Sequence, residues 1–369
     1  MAQRILVVDD DPDTLTLIGL TLQRRGFEVI KAQSGQQALN LLTHDMPDLV
    51  ILDVMMPQMD GYEVCREIKA QPRIAHLPIV MLTAKAQTAS QLEGFRAGAI
   101  DYITKPVHPQ DLVKRIQSVL DKTAQGQPLL RAQLISVLGV KGGVGATTLA
   151  VNIALALAAD QHTVFVDMEP GGSAALQLGL EGRGLNALVA DESTVLDGPA
   201  VEAALSRHSS GLRVLSAAEQ SVTTAQATVI ANVMQGLCDV CVFDLGWGAT
   251  PVSRVIAPRS AAVLLVIDAD KATLLQANRL LQTLTETGVP ADAIKIVWVN
   301  RQAAPVDIAQ PAIRSALGRD PVAMIGSASE AMYLAMESAR PVVLSQPDSP
   351  VAQAIKSLAR SLLPTPQTA

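Results

Sequence analysis

Aromatic side chains are scarce in this chain of 369 residues, which has four phenylalanines, three tyrosines and two tryptophans. Hydrophobic residues still make up 49% of the sequence, so its apolar surface is mainly small and branched aliphatic. A chain with this much apolar surface is neither a disordered protein nor a small disulfide-dependent domain. Buried parallel strands and alanine-rich helices have this composition, and the length predicts two or three domains.

Cysteine is also rare. Three cysteines argue against a disulfide framework and fit a reducing compartment. Cys238 and Cys241 form a C-x-x-C pair on a predicted strand, where their side chains are expected to face opposite sides. A zinc site needs about four ligands, and the five histidines are scattered along the chain. We therefore expect no metal or redox role for this pair.

Long apolar runs and an excess of basic residues are both missing. No run reaches the roughly 18 residues of a membrane span, and residues 1–11 lack the apolar core of a signal peptide, so we expect a soluble, cytoplasmic protein. The net charge is −6. Residues 1–132 carry 14 Lys and Arg against 15 Asp and Glu, and residues 133–369 carry 15 against 20. Bulk charge therefore gives no strong signal for binding nucleic acid or anionic lipid.

Short β-rich runs alternate with helical patterns along the first 120 residues. The predicted strands are 4–8, 28–31, 49–52, 79–82 and 101–104. The predicted helices are 13–25, 34–43, 61–70, 89–97 and 109–120. Five βα units predict a doubly wound parallel sheet, whose ligands lie at the carboxyl ends of its strands.

A second alternating series follows residues 121–132, which contain Gly126 and Pro128 and are predicted to be a linker. Its predicted strands are 134–138, 163–166, 212–215, 240–243, 261–267, 294–299 and 322–325. The sequence therefore predicts two α/β domains, 1–120 and 133–369, each built on a doubly wound parallel sheet. The amphipathic pattern of 351–363 predicts a final helix packed on the core.

Polar side chains follow the predicted strands of the first domain. Asp9 and Asp10 end the first strand, Asp53 the third, Thr83 the fourth and Lys105 the fifth. Three carboxylates that converge on one crevice repel each other unless a hard cation such as Mg²⁺ lies among them. A carboxylate nucleophile, Mg²⁺, a hydroxyl and an ammonium around one point are the groups needed to transfer a phosphoryl group to an aspartate.

At these residues the first 120 positions resemble the receiver domain of bacterial two-component response regulators, with VVDD, LDVMMPQMDG, MLTA and DYITKP in the same order and spacing. The resemblance implies a flavodoxin-like fold. It also implies that Asp53 is the phosphoacceptor for a histidine kinase or another phosphodonor. Asp9 and Asp10, together with Asp53, would hold Mg²⁺.

The same resemblance gives roles to three residues near the ends of the last two strands. Thr83 and Lys105 would engage the phosphoryl oxygens, and Tyr102 falls on the position of the switch aromatic residue. No pocket residue is missing, so we expect a receiver that is competent for phosphorylation.

Strand 134–138 runs into the glycine-rich segment GVKGGVGATTLAV and then into an apolar helix. Glycines let backbone N–H groups turn inward, and a helix N-terminus adds positive potential, so this loop can cradle phosphates. The usual P-loop pattern is G-x-x-x-x-G-K-[ST]. Gly145 and Thr147 match it, and Thr147 would give its hydroxyl to Mg²⁺. Val140 replaces the first glycine, and Ala146 replaces the lysine.

The K-G-G-x-G segment that starts at Lys141 resembles the deviant Walker A motif of the MinD/ParA family. In that family the early lysine reaches across a nucleotide-sandwich dimer, so the resemblance implies an ATP-dependent homodimer. The residues that it implies in nucleotide binding are Lys141, Gly142, Gly143, Gly145, Thr147 and Thr148.

Two further segments, VFVDMEPGG and CDVCVFDLG, resemble the second acidic motif and the Walker B strand of that family. They imply that Asp167 and Asp244 lie near Mg²⁺, and Asn300 falls where the family often reads adenine. Two positions depart from the family. Ala146 cannot stabilise charge on a transferred phosphoryl group, and Glu169 stands in place of the water-positioning aspartate. We therefore predict ATP binding with slow or absent hydrolysis.

A receiver joined to an altered MinD/ParA domain resembles the CpaE/TadZ family of Flp (tight-adherence) pilus assembly, and segments 196–219 and 321–363 extend the resemblance. It implies a phosphorylation-controlled localisation and assembly factor, which pilus or secretion machinery would recruit to the inner membrane face or the cell pole. Two alternatives stay open. An active ParA-like DNA-partitioning ATPase would bind DNA in a salt-sensitive way. A response regulator whose output domain binds proteins would bind no nucleotide.

Overall fold

A computed structural model describes residues 3–71, 73–75, 77–83, 98–105, 107, 109–124, 132–181, 184–189, 196, 198–301 and 304–364. The chain divides into two compact units. One comprises Met1–Arg131 with Val195–Gly198, and the other comprises Ala132–Thr194 with Pro199–Ala369. Within the described residues, each unit is built on one β-sheet.

The first unit has five strands: β1 Arg4–Val8, β2 Glu28–Ala32, β3 Leu49–Asp53, β4 Ile79–Thr83 and β5 Asp101–Thr104. Its described helices are α1 Pro12–Gln23, α2 Gly35–His44, α3 Gly61–Ala70 and α4 Pro109–Ala124. All strand pairs are parallel, in the order β2-β1-β3-β4-β5. The chain starts in β1, adds β2 on one side and then builds outward on the other side. The predicted doubly wound fold is confirmed.

Burial on both faces explains why β3 and β4 are runs of aliphatic residues, since every residue of these two strands is buried. Successive side chains alternate between two hydrophobic clusters. Val50 packs with Ile68 of α3 in one cluster, and Ile51 packs with Ile116 of α4 in the other. Helices therefore cover both faces and leave the strand ends as the place where polar groups can gather.

The five predicted strands of this unit are confirmed to within one residue. The last helix differs from its prediction: α4 continues to Ala124, so the first four residues of the predicted linker 121–132 are helical. Gly126 and Pro128, which indicated the linker, lie outside the described residues, as does the helix predicted at 89–97.

The second unit has eight described strands: β6 Gln133–Gly139, β7 Thr163–Asp167, β8 Ser206–Arg207, β9 Arg213–Leu215, β10 Val240–Trp247, β11 Ala262–Ile267, β12 Ile294–Val299 and β13 Ala323–Ile325. Their order is β13-β12-β11-β6-β10-β7-β9-β8. Every pair is parallel except β8 and β9. The sequence did not indicate β8, because two residues are too few to show a strand period.

The described helices of this unit are α5 Ala146–Leu157, α6 Ala174–Gln177, α7 Asn186–Val189, α8 Gly198–Ala204, α9 Thr224–Leu237, α10 Pro251–Ile256, α11 Lys271–Glu286, α12 Val306–Leu317, α13 Ser329–Glu337, α14 Val342–Ser345 and α15 Pro350–Ser361. None of the helices in the described part of the chain combines the length and the apolar character needed to cross a membrane.

Helix α5 is the centre of the second core. Its alanine-rich sequence is buried almost all round, against the sheet on one side and α15 on the other. Ile355 and Leu358 of α15 are buried in this core, which confirms the predicted packing of the final helix. The buried Asn152 side chain donates to the Thr148 carbonyl at 2.8 Å and accepts from the Val343 N–H at 3.1 Å. This side chain ties the first turn of α5 to the C-terminal region.

The C-x-x-C pair differs from its prediction. Cys238 is the C-cap residue that follows α9 and does not lie in a strand, whereas Cys241 lies in β10. Both thiols are buried and interact with each other, so the expectation that they face opposite sides was wrong. Burial, with a smaller effect of Cys238, raises the pKa of the Cys241 thiol well above its usual value. The alternation rule failed because β10 begins at Val240, after the first cysteine.

Candidate functional site

The carboxyl ends of β1 and β3 bring three aspartates together in the first unit. Carboxylate oxygens of Asp9, Asp10 and Asp53 lie within 4.8 Å of one another. β1 pairs with β3 in parallel register, so the residues that follow these strands meet at one edge of the sheet. Asp9 and Asp53 are buried, whereas Asp10 is exposed. The acidic group is therefore buried on one side and opens to solvent on the other.

Lys105 lies between two of these carboxylates. Its Nζ is 2.7 Å from Asp9 Oδ2 and 2.7 Å from Asp53 Oδ1. The backbone N–H of Lys105 donates to the Thr83 carbonyl at 2.7 Å, which fixes the end of β5 against β4. The Thr83 side chain is buried at this edge. Tyr102 lies in β5, and its side chain is outside the described part of the structure.

The electrostatics of this pocket favour a divalent cation. Burial raises the pKa of Asp53; Lys105 acts in the opposite direction, and the charges of Asp9 and Asp10 raise it further. Burial lowers the pKa of Lys105, but its hydrogen bonds and ion pairs with Asp53 and Asp9 outweigh burial, so the net shift is upward. One ammonium therefore pairs with two of the three carboxylates, Asp9 and Asp53. An all-oxygen group with an open side is the donor set that Mg²⁺ takes, so these residues fit that ion.

The loop between β3 and α3 fixes the orientation of Asp53. The Met55 N–H donates to Asp53 Oδ2 at 3.1 Å, and the Gly61 N–H donates to the Val54 carbonyl at 3.0 Å. A Cβ at Gly61 would collide with the Asp53 carbonyl oxygen and would lie 2.9 Å from Val54 Cα. Only glycine lets the first turn of α3 approach the end of β3 this closely. Asp60 caps the same turn through a reciprocal pair of hydrogen bonds with Glu63.

The glycine-rich loop of the second unit has the backbone shape of an anion cradle. Gly143 and Gly145 have φ angles of 74° and 98°, in the left-handed region that favours glycine. α5 begins at Ala146 directly after Gly145, and no side chain caps this end of the helix. The N–H groups of the first turn are therefore available to an anion, which the helix dipole also favours.

The residue after this loop, Ala146, brings no ammonium where the usual pattern has a lysine. Ala146 is buried, and its Cβ is 3.3 Å from the position of a Cβ at Gly139. Thr147 and Thr148 are half-buried in the first turn of α5. Gly142 is exposed beside Trp247, whose Nε1 is 3.8 Å from the position of a Gly142 Cβ. The half-exposed Trp247 indole therefore stands next to the loop.

Two buried aspartates face each other below the loop. Asp167 ends β7, and Asp244 is its register partner in β10. Asp167 accepts the N–H groups of Glu169 at 3.2 Å and Ala174 at 3.4 Å. Asp244 Oδ1 accepts the Gly246 N–H at 3.0 Å, while its buried Oδ2 forms no direct hydrogen bond with any residue that the structure describes. A buried carboxylate oxygen without a partner is a ready ligand for Mg²⁺, so these residues fit the ion that accompanies ATP.

Burial and mutual repulsion shift the pKa values of this acidic group upward. Burial and the charge of Asp244 raise the pKa of Asp167 to about 7. The same two causes raise the pKa of Glu169. Burial raises the pKa of Asp244, and the Thr147 hydroxyl opposes that effect. Burial is the largest cause of all three shifts, and the charge of Asp244 adds to it for Asp167 and Glu169; a bound cation would stabilise the ionised carboxylates.

The sequence did not indicate two residues that contact the loop. Asp270, the N-cap of α11, forms an ion pair with Lys141 at 2.8 Å. Arg301, the second residue after β12, donates from its guanidinium to the Gly143 carbonyl. The sequence indicates them only through their positions: Asp270 follows β11 closely, and Arg301 follows Asn300. Periodicity and motif spacing do not show which neighbouring strand end reaches a loop.

Asn300 occupies the end of β12 with its amide engaged. Its Nδ2 donates to the Ala304 carbonyl at 2.9 Å, and its Oδ1 accepts the Ala304 N–H at 2.8 Å. One amide hydrogen and one lone pair remain for another partner. The side chain therefore shapes the turn after β12 in addition to the adenine contact that the family resemblance implies.

Comparison with protein families assigns both units. The family described as "Response regulator receiver domain" matches residues 5–117. The family described as "CobQ/CobB/MinD/ParA nucleotide binding domain" matches residues 135–316. The first unit, with its acidic pocket, is thus a receiver domain. The chain therefore contains a receiver domain over residues 5–117, followed over residues 135–316 by a nucleotide-binding domain of the CobQ/CobB/MinD/ParA type.

Individual relatives match one domain each. The alkaline phosphatase synthesis transcriptional regulatory protein PhoP of Bacillus subtilis (strain 168) is 40% identical over 128 residues, which are 35% of this chain and 52% of that protein. A crystal structure of a ParA family ATPase from Chlorobium tepidum TLS has a TM-score of 0.56 at 22% identity and covers 62% of this chain and 98% of that chain. The MinC:MinD cell division protein complex of Aquifex aeolicus has a TM-score of 0.54 at 22% identity. The match covers 63% of this chain and 98% of that chain. The chain spans about half the length of the curated relatives that it matches.

Proposed function

We propose that this protein is a phosphorylation-controlled, ATP-binding localisation and assembly factor of the CpaE/TadZ type that serves pilus or secretion machinery. The observation that carries the proposal is the position of Lys105 Nζ, 2.7 Å from both Asp9 Oδ2 and Asp53 Oδ1 in the acidic pocket. A receiver pocket that keeps its nucleophile, its acidic ligands and its lysine supports regulation by phosphoryl transfer.

Asp53 is the proposed nucleophile. One of its carboxylate oxygens would attack the phosphorus of a phosphohistidine or acyl phosphate, and the donor would leave as imidazole or carboxylate. Mg²⁺, when bound, would supply positive charge to the phosphoryl oxygens. Asp9 and Asp10 would hold that ion, and Lys105 would exchange its bond to Asp53 for a bond to a phosphoryl oxygen. Thr83 and Tyr102 would report the new charge to the β4–β5 side of the domain.

ATP binding by the second domain is proposed from the shape of its loop. The N–H groups after Gly143 and the first turn of α5 would hold the phosphates, with Thr147, Asp167 and Asp244 around Mg²⁺. Lys141 would reach the phosphates of a second copy and so couple ATP to dimerisation. Because Ala146 brings no ammonium to the reaction, we propose a slow ATPase at most.

Two switches in one chain suit an assembly factor better than a metabolic enzyme. We propose domain limits of 1–120 and 133–369, with phosphorylation biasing the first domain and ATP biasing the second. A histidine kinase would set the first switch. Partner proteins of the pilus or secretion machinery would bind the switched surfaces and place the protein at the inner membrane face or the cell pole.

Phosphorylation of the purified protein by acetyl phosphate tests the first switch. The wild type should be labelled in the presence of Mg²⁺ and not in the presence of EDTA, and Asp53→Asn should not be labelled. Asp13→Asn is the matched control, since Asp13 is an exposed aspartate of α1 outside the acidic group. Equal labelling of the wild type and Asp53→Asn would refute Asp53 as the phosphoacceptor.

The assembly role needs a test in cells. In the organism that encodes this protein, deletion of the gene should remove surface pili while pilin remains inside the cell. The Asp53→Asn gene should restore piliation to a different extent from the wild-type gene. Genes for pilin, prepilin peptidase and a secretion ATPase beside this gene would support the proposal. Unchanged piliation, together with DNA affinity that falls steeply with salt, would instead favour a DNA-partitioning ATPase.

A further inference from the structure

Two cations contact the glycine-rich loop, and they differ in how their charge is balanced. Lys141 Nζ is 2.8 Å from Asp270 Oδ2, so a carboxylate already offsets its charge. The guanidinium of Arg301 donates to the Gly143 carbonyl, which carries no net charge. Among the residues that the structure describes, no carboxylate forms an ion pair with Arg301. Arg301 is therefore the cation at the loop whose charge is not offset.

The sheet order explains how a residue after β12 reaches a loop after β6. β12 pairs with β11, and β11 pairs with β6, so all three carboxyl ends lie along one edge. Val299, the last residue of β12, places its Cγ1 3.7 Å from the position of a Gly145 Cβ. The Arg301 N–H then bonds to the Val299 carbonyl at 3.0 Å, which turns the chain back toward the loop.

We propose that Arg301 supplies to the nucleotide phosphates, from within the same subunit, the positive charge that Ala146 cannot supply. This inference rests on the proposed ATP binding. A guanidinium has five N–H donors, so Arg301 can keep its bond to Gly143 and direct its remaining donors at phosphate oxygens. A charged fork of this kind matches phosphate geometry.

The charge at the site gives the reason for such a residue. Asp167 and its register partner Asp244 already place two buried carboxylates side by side, and Glu169 adds a third two residues after Asp167. ATP would add several more negative charges. With no lysine at position 146 and with Lys141 paired to Asp270, Arg301 remains to offset them together with Mg²⁺.

Calorimetric titration of the full-length protein with ATP, ADP and adenosine, all with Mg²⁺, tests the inference. The variants are Arg301→Ala, Arg301→Gln, which keeps a donor for the Gly143 carbonyl but removes the charge, and Arg301→Lys, which keeps the charge. Arg319→Ala is the matched control. Arg319 also donates to main-chain carbonyls, those of Ala291 and Ile294, but Ile294 begins β12 at the opposite end of the strand.

A hydrogen bond to a charged group is worth enough that Arg301→Ala should bind ATP about 10- to 100-fold more weakly. The loss should be smaller for ADP and absent for adenosine. Arg301→Gln should behave like Arg301→Ala, Arg301→Lys should retain most of the affinity, and Arg319→Ala should match the wild type. Adding Ala146→Lys to Arg301→Ala should restore ATP affinity, because the second change returns a cation to the loop.

Three outcomes would overturn the inference. ATP affinity retained in Arg301→Gln would show that Arg301 only anchors the loop through Gly143. An equal loss for ATP and adenosine would place Arg301 against the base. Unchanged ATP affinity in Arg301→Ala would remove the residue from the site. If the wild type binds no nucleotide, the proposed ATP binding itself is wrong, which the wild-type titration reports separately.

Discussion

Lys141 and Asp270 form an ion pair within one subunit, with 2.8 Å between Nζ and Oδ2. Asp270 also accepts the Thr273 N–H at 3.0 Å and thereby caps α11. The hydrogen bonds from Lys141 and Thr273 hold the pKa of Asp270 well below its usual value, so the carboxylate is ionised at neutral pH. A lysine that serves a second subunit must first leave this carboxylate. The pair therefore opposes the proposed ATP-dependent dimer.

Release of Lys141 from Asp270 should strengthen that dimer. Asp270→Asn removes the charge but keeps a residue that caps helices well. A partly exposed pair is worth about 0.2–1 kcal/mol, so with one pair per subunit the ATP-bound dimer should become about 2- to 30-fold tighter. Lys141→Ala should abolish the effect of ATP, and Lys271→Ala, at an exposed lysine next to Asp270, should change nothing. Sedimentation with and without ATP and Mg²⁺ measures the dimer fraction. A protein that stays monomeric with ATP at every concentration would contradict the prediction.

ATP turnover should be slow because Ala146 replaces the loop lysine and Glu169 replaces the water-positioning aspartate, the two groups that organise the hydrolytic transition state. Loss of one electrostatic contact commonly lowers the rate by about 10²–10³. We expect micromolar ATP binding with turnover far below the common enzyme range of ~1–10³ s⁻¹. Ala146→Lys should strengthen ATP binding or raise turnover. If Glu169 also limits hydrolysis, rapid turnover should appear only when Glu169→Asp is combined with Ala146→Lys. Phosphate release and calorimetry on one preparation provide both quantities. Rapid turnover that disappears in Asp244→Ala would show an active ATPase instead.

Metal-free protein should lose stability as the pH rises, because Asp167 has a pKa of about 7 in the folded state. The ordinary value is 3.8, so between these values the folded state binds more protons than the unfolded state. Stability is therefore highest at the acidic end of this window and is lost as the pH rises toward 7. The pKa values of Asp244 and Glu169 are also raised, so these two groups change the stability in the same direction as Asp167. Thermal unfolding in EDTA at pH 5 and pH 7.5 measures the effect, and Asp167→Asn should reduce the difference. If the wild type and Asp167→Asn lost the same stability between pH 5 and pH 7.5, Asp167 would not be the source of the pH dependence.

Gly61→Ala should damage the receiver domain. A Cβ at this position would collide with the Asp53 carbonyl oxygen, so either α3 or the end of β3 must move. Overpacking of this kind typically destabilises a protein by about 1–3 kcal/mol. Acetyl phosphate labelling should fall as well, because the Asp53 carboxylate shifts with its backbone. Gly326→Ala is the control, since a Cβ at Gly326 would meet no atom within 4 Å among the described residues beyond its chain neighbours. Denaturant unfolding and labelling give the two readouts, and a fully stable, normally labelled Gly61→Ala would contradict the close approach.

The receiver pocket could be predicted from the sequence because its residues lie at or directly after the ends of strands. Asp53 ends a run of buried aliphatic residues, and such runs are visible as patterns along the chain. Parallel strands in a doubly wound sheet bring their carboxyl ends to one edge, so the convergence of Asp9 and Asp53 follows from topology. The distances from Lys105 to Asp9 and Asp53 could not be predicted from the sequence, because they depend on side-chain rotamers and on how β5 is fixed to β4.

Only the tertiary structure paired Lys141 with Asp270 and brought Arg301 to Gly143. These residues are separated by more than a hundred positions, and their side chains follow no period. The tertiary structure also placed the two thiols of Cys238 and Cys241 together, since the boundary between α9 and β10 falls between them. The sequence by itself determined which strands are buried and which residues end them, because apolar burial leaves a local pattern. Which strand ends become neighbours, and which charges then meet, depends on the order of strands in the sheet and on side-chain packing.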